Sequence, residues 1–145
     1  MAKPVTLSSA KMLIQLGDGG SPEVFAAPCG LTTKGLTFTK TTNDTTVPDC
    51  DDPDLVSWTE RGVVSMSGTI TGSGVLAMEA LETWRAAAFL TISRNARLLL
   101  DHIDGGYFQG LFHLTTFTLG GELGNKVSVT VELQNDGEIV WVPTP

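Results

Sequence analysis

From Val127 to Leu133 the chain alternates without a break: Val127, Val129, Val131 and Leu133 are apolar, while Ser128, Thr130, Glu132 and Gln134 are polar. A period of two is the signature of a strand with one buried and one solvated face. It recurs where Leu36 and Phe38 alternate with Thr37 and Thr39, and where Val64, Met66 and Ile70 alternate with Ser65, Ser67, Thr69 and Thr71. Strands leave backbone N–H and C=O groups that only neighbouring strands can satisfy in bulk, so this patterning commits most of the chain to a sheet.

The remaining segments fit the same class. Lys11 to Leu16 reads as a strand ended by Gly17-Asp18-Gly19-Gly20-Ser21-Pro22, followed by a short strand at Glu23 to Ala27 and a long one from Leu31 to Thr42. A further strand, Val63 to Thr71, is expected to break at Gly72-Ser73-Gly74. Val75 to Leu90 then turns helical, with Ala77, Leu81, Trp84 and Ala88 on one face and Glu82 and Arg85 paired outside. Two short strands, Leu90 to Arg94 and Arg97 to His102, are expected around Asn95-Ala96, with a turn at Asp104-Gly105-Gly106. Between Tyr107 and Leu119, Phe108, Phe112 and Leu114 are out of phase with Phe117 and Leu119, which predicts a bulge near Thr115 and Thr116. Asp136-Gly137 predicts a closing hairpin into Ile139-Val140-Trp141-Val142.

The expected fold is therefore mainly β: a sandwich or barrel of antiparallel strands with one α-helix and a long extended loop. The length of 145 residues fits one domain, spanning 1–145. The loop is set by residues 41–60, which hold six acids, Asp44, Asp49, Asp51, Asp52, Asp54 and Glu60, and no Lys or Arg. Pro48 and Pro53 interrupt it, which reads as an extended loop or an irregular hairpin tip.

Charge narrows the function classes. With 16 acidic and 9 basic residues the formal charge is -7, and no dense basic stretch exists to hold phosphates, so stable nucleic-acid binding is disfavoured. Only 17% of residues are charged, which suggests that partners cover part of the surface. No apolar run approaches a bilayer span of roughly 18 to 20 residues, and Met1-Ala2-Lys3-Pro4-Val5-Thr6 lacks the apolar core of a secretion signal, so no membrane is expected and the product is expected in the cytoplasm. In that compartment Cys29 and Cys50 are expected to be reduced rather than bridged.

His102 and His113 lack partners at metal-ligand spacing, and neither HExxH, CxxC, GxSxG, GxGxxG nor a phosphate loop is present. Asp49-Cys50-Asp51-Asp52-Pro53-Asp54 has the carboxylates for a hard cation but not the glycine and terminal glutamate of an EF-hand, which favours a solvated loop. Trp58, Trp84 and Trp141 fit core or interface packing better than a carbohydrate platform. No catalytic residues, metal or cofactor are expected, and the chain does not read as an enzyme.

The order of elements carries a resemblance: a long strand, an acidic loop, a returning strand, a Gly-rich stretch, one helix, then antiparallel strands. Its pieces are Gly35-Leu36-Thr37-Phe38, Val64-Ser65-Met66-Ser67-Gly68-Thr69-Ile70-Thr71-Gly72-Ser73-Gly74-Val75-Leu76, Gly110-Leu111-Phe112, Gly120-Gly121-Glu122 and Val127-Ser128-Val129. The chain resembles the tail tube proteins (major tail proteins) of long-tailed bacteriophages, related in architecture to type VI secretion tubes. The resemblance implies stacked hexameric rings of a virion tail, assembled in the host cytoplasm, with the tape measure, terminator and baseplate proteins as neighbours and DNA passing through without stable binding. On that reading Ser65, Ser67, Thr69 and Thr71, with Thr37 and Thr39, face the lumen. Asn43, Asp44, Asp49, Asp51, Asp52 and Asp54 lie in the loop between rings. The competing readings are a type VI secretion tube, another tail ring component, and a monomeric β-sandwich ligand-binding module.

Overall fold

The computed structural model describes residues 3–20 and 23–144. Two compact units divide the chain: a body, comprising the chain up to Thr37 and again from Gly68, and an arm, Phe38–Ser67. Among the described residues the elements are β1 (Met12–Gly17), β2 (Phe25–Ala26), β3 (Leu31–Thr46), β4 (Thr59–Val75), α1 (Met78–Ala88), β5 (Arg94–Leu100), β6 (Gly106–Gly120), β7 (Ser128–Asn135) and β8 (Val140–Pro143). A 3-10 turn, Ser9–Lys11, leads into β1, with the Ser8 hydroxyl accepting from the Ala10 N–H. All eight strands belong to one sheet in the order β2-β1-β5-β6-β7-β4-β3, with β8 added on β6. The fold is mainly β with one helix, as the alternation predicts, and the sheet does not close.

Within the body the sheet curls. Although β1 and β3 lie far apart in strand order, Lys34 Nζ donates to the Met12 carbonyl at 2.7 Å. Gly72 permits the approach on the other side: a Cβ there would lie 3.1 Å from Leu31 Cδ1 and 3.2 Å from Ile14 Cδ1. The concave side holds the core of Ile14, Leu16, Ile70, Ala96, Leu98, Phe112, Val129, Val131 and Leu133, against which α1 places Ala80 and Trp84. Trp84 is 0% exposed. On the outer side of α1, Arg85 donates to Glu82, the pair foreseen at i, i+3.

The bulge falls where the phase change places it, between Leu114 and Thr116 against Leu133 and Glu132 of β7. The shift returns Phe117 to the core after Leu114, so both pack on the same cluster.

Four sequence expectations are corrected. Gly72-Ser73-Gly74 does not end a strand: β4 continues to Val75, paired with β7 as far as Ser128, because those glycines occupy the crowded concave side rather than a turn. Asn95-Ala96 does not separate two strands either. β5 runs through it, and Ala96 is a core residue paired with Leu16 and Gly110. Asp136-Gly137 does not fold β8 back on β7. Asn135 pairs with Phe112 and Val140 with Gln109, so both strands lie along β6 in succession. Asp136 N–H donates to the Leu111 carbonyl at 2.7 Å, Asn135 Nδ2 to the Gly137 carbonyl at 2.8 Å, and Gly137 takes φ +108, so the segment bulges outward instead of reversing. Finally, the acidic stretch is strand at both ends, since β3 reaches Thr46 and β4 begins at Thr59. The Ser21-Pro22 end of the expected first turn lies outside the described residues.

Candidate functional site

The sheet has a second face. Alternation places Thr69 and Thr71 opposite the core-facing Ile70, and their partners on β7 are Gln134 and Glu132. Those in turn pair with His113 and Thr116 of β6, giving a polar band across three strands of the body. Gly35 of β3 joins the same face, since a Cβ on it would stand 3.2 Å from Thr71 Oγ1. Thr37, two residues further along β3, is exposed. Of the residues singled out from sequence, Thr37, Thr69 and Thr71 thus belong to the body, while Thr39, Ser65 and Ser67 are exposed positions of the arm. Glu132 and Gln134 complete the band but were not singled out from sequence. Their alternation is visible there, but which strand they lie beside is fixed only by pairing.

In the arm, Thr46 and Thr59 bring their hydroxyls within 3.4 Å, and Arg61 Nε donates to Asp44 Oδ1 at 3.0 Å. That pair is exposed and contributes about 0–1 kcal/mol. Asn43 and Asp44 therefore sit on strand β3, not in the loop, whereas Asp49, Asp51, Asp52 and Asp54 occupy the tip at 47–58. The tip folds on its own backbone: Asp49 Oδ1 accepts from the N–H groups of Asp51 and Asp52, at 2.8 and 3.2 Å, and Asp52 Oδ1 accepts from Asp54 N–H at 3.3 Å. Its apolar residues face solvent, Val56 being 88% and Trp58 89% exposed.

The arrangement offers little chemistry. His102 Nδ1 accepts from Asp104 N–H at 3.0 Å, and His113 Nε2 lies 3.4 Å from Asp136 Oδ2. Among the described residues no group of three His, Cys, Asp or Glu side chains can hold a metal ion, and no helix is long and apolar enough to cross a membrane. Cys29 and Cys50 are free and exposed. Trp141 packs tilted on Phe108, with ring centroids 4.7 Å apart. Arg97 lies between the rings of Phe25 and Tyr107, 3.6 and 4.4 Å from their centroids, a pair of cation–π contacts that fixes β2 to the sheet. A cavity of 440 Å³ opens beside the C-terminal half of α1, lined by Leu16, Val24, Ala86, Leu90, Ile92 and Arg94 among others.

The site is thus a set of surfaces: a polar sheet face, the sheet edges that β2, β3 and β8 leave open among the described residues, and an exposed arm. Residues 6–141 match the family described as phage tail tube protein. The chain belongs to that family. As a phage tail tube protein it has a structural role. Three solved structures share its fold. The tail of an empty gene transfer agent particle, refined helically with C6 symmetry, superposes with a TM-score of 0.78 at 21% identity, covering 94% of this chain and 99% of that one. The virion of a native gene transfer agent particle gives 0.76 at 20% identity, with coverage of 94% and 99%. The SPP1 tail tube gives 0.62 at 10% identity, covering 96% of this tail tube protein and 80% of that one. No curated protein matches the sequence.

Proposed function

We propose that the chain, residues 1–145 acting as one tail-tube domain, is the repeating subunit of a tail tube, with six copies per ring and rings stacked into a conduit through which DNA leaves the particle. The observation that carries this reading is the open sheet: among the described residues β2, β3 and β8 each pair on one side only, and a sheet edge left open is satisfied when a neighbouring copy completes it. Closing a ring can remove the two terminal edges, at β2 and β3, at once. C6 symmetry is that of the gene transfer agent tail and comes to this chain by family and fold. Its place is the virion tail, assembled in the host cytoplasm between baseplate and terminator proteins and around a tape measure.

Ser65, Ser67, Thr69, Thr71, Thr37 and Thr39 line the channel in this reading, joined by Glu132 and Gln134. Small hydroxyl and acidic side chains give a wall to which DNA does not adhere, since each Lys or Arg on phosphate would add affinity by counterion release. The arm, with Asn43, Asp44, Asp49, Asp51, Asp52 and Asp54, makes the contact from ring to ring. Negative-stain microscopy of the concentrated protein tests the whole: hollow tubes or rings are expected, and particles that remain single subunits at every concentration refute it. For the wall, cysteines placed singly at Thr71 and Glu132 are expected to be shielded in assembled tubes from a reagent too large to enter; labelling equal to that of free subunits removes them from the lumen.

A further inference from the structure

The arm tip carries more apolar surface than a solvated loop needs. Leu55, Val56 and Trp58 are all exposed, next to the acids Asp52 and Asp54. Exposed apolar groups concentrated in this way mark a contact surface rather than a free loop. The body, for its part, has a concavity beside α1. The cavity beside α1 has a volume of 440 Å³, inside the range of about 300–1,000 Å³ typical of sites that take a compact ligand. Its walls are the apolar side chains of Leu16, Ala87, Leu90 and Phe112, and two of its rim residues, Val24 and Ile92, are themselves 63% and 64% exposed.

We propose that this groove receives the Val56–Trp58 segment of the arm tip from a second copy of the chain, with the Trp58 indole in the cavity. The inference rests on the reading of the arm as the ring-to-ring contact and names the surface that receives it. Three features fit this occupant. An indole brings about 150–250 Å² of surface to bury and one N–H that wants an acceptor; the groove is mainly apolar, with Thr83 in its lining as an acceptor. Charge agrees: the tip is acidic with no base, and Arg94 on the groove wall spends an N–H on the Asp18 backbone carbonyl while making no ion pair among the described residues. Of the carboxylates beside it, Glu82 is paired with Arg85, while Asp18 stays ionised through the N–H groups of Gly20 and Val24 and shares Arg94 with any incoming tip aspartate. Lastly, tip and groove are different surfaces of the same chain, so their contact is head-to-tail and propagates along a stack as long as its rotation does not close on itself, which is the symmetry that stacking requires.

The test uses the full chain with Cys29→Ser and Cys50→Ser. Val56→Cys combined with Ala86→Cys, oxidised at a concentration where tubes form, is expected to give a covalent ladder of dimers, trimers and higher species. Monomer only, or a monomer closed on itself, overturns the proposal. Ala86→Arg, an exposed substitution that fills the groove, is expected to abolish tubes and leave the far-ultraviolet circular dichroism and melting temperature unchanged. Should it fail to fold, Ile92→Glu at the rim takes its place, with the same expectation. Normal tubes from either folded variant overturn the proposal. Replacing residues 47–58 by Asn-Gly separates the two levels of the argument. If that variant stops tubes while Ala86→Arg does not and the ladder is absent, the groove is wrong and the arm reading stands. If it builds normal tubes, the arm reading falls and the groove with it.

Discussion

Trp84 shows how much of the interior a single residue can announce. Its spacing from Ala77, Leu81 and Ala88 places it on the apolar face of a helix, and α1 delivers it wholly buried into the curl of the sheet. Trp84→Ala would leave a large void among rigid strand residues and is expected to cost about 3–5 kcal/mol, read from urea denaturation at constant slope. An unchanged midpoint would mean that the helix is not the plug of this core. Asp18 is a residue whose role sequence does not disclose. The backbone N–H groups of Gly20 and Val24, in that order, hold its carboxyl below the usual 3.8, with Arg94 adding a smaller pull. A carboxyl depressed in the folded state stabilises fully above its unfolded value and loses that contribution as pH falls through the native one. The stability gap between the parent and Asp18→Asn is therefore expected to be constant from pH 7 to 5 and to close as pH falls below 3.8; a gap that widens in acid contradicts the assignment. Glu132 is a third case: its polarity is plain in the alternation, but its place beside Thr71 is not, because pairing partners 61 residues apart leave no local trace.

At the scale of elements, what was legible is what local sterics decide. Strand faces, the helix, and the bulge at Leu114/Thr116 follow from period and phase, which any short window contains. Two of the corrections share one cause: Gly and Asn read locally as breaks, where tertiary packing uses them inside a strand. Gly72 and Gly74 are small because the sheet curls there, and Asn95 is held in β5 by donating to Glu23 Oε2 at 3.1 Å. The β7–β8 connection is the instructive failure, since Asp-Gly is ordinary hairpin chemistry and here it makes an outward bulge along β6. Gly137 at φ +108 is what allows it. Gly137→Val is accordingly expected to destabilise by on the order of 1–3 kcal/mol, with hydrogen exchange accelerated at Val140–Val142. Unchanged protection there would show that the bulge tolerates a branched side chain. The arm tip behaves oppositely. Its turns are closed by its own aspartates, so replacing 47–58 by Asn-Gly is expected to shift the melting of the body little, with loop-closure entropy accounting for less than about 1 kcal/mol.

For the whole molecule, charge distribution decides how readily copies meet. Six of the 16 acids lie in residues 41–60; with Lys40 and Arg61 the arm has two bases against six acids, a net of -4, while the body, with seven bases and ten acids, carries -3 over nearly four times as many residues, so charge is concentrated in the arm. Bringing copies together packs like-charged arms into one assembly. At about 0.01 M ionic strength the Debye length is roughly 30 Å and every arm feels its neighbours; at about 0.1 M it falls to roughly 10 Å and only adjacent groups interact. Screening therefore removes more repulsion than attraction, even though it also weakens any contact between Arg94 and a tip aspartate, because that contact is one pair against a formal charge of -7 per copy. The concentration at which the protein leaves the subunit pool, followed by light scattering or sedimentation, is expected to fall as sodium chloride rises from about 10 to 200 mM. Replacing Asp49, Asp51, Asp52 and Asp54 by Asn should flatten that dependence and leave the apolar tip to set the threshold. A threshold that rises with salt in the parent protein would mean that specific ion pairs, rather than buried apolar surface, hold the copies together. Ring closure through backbone hydrogen bonds at β2 and β3 would then contribute less than the edges suggest.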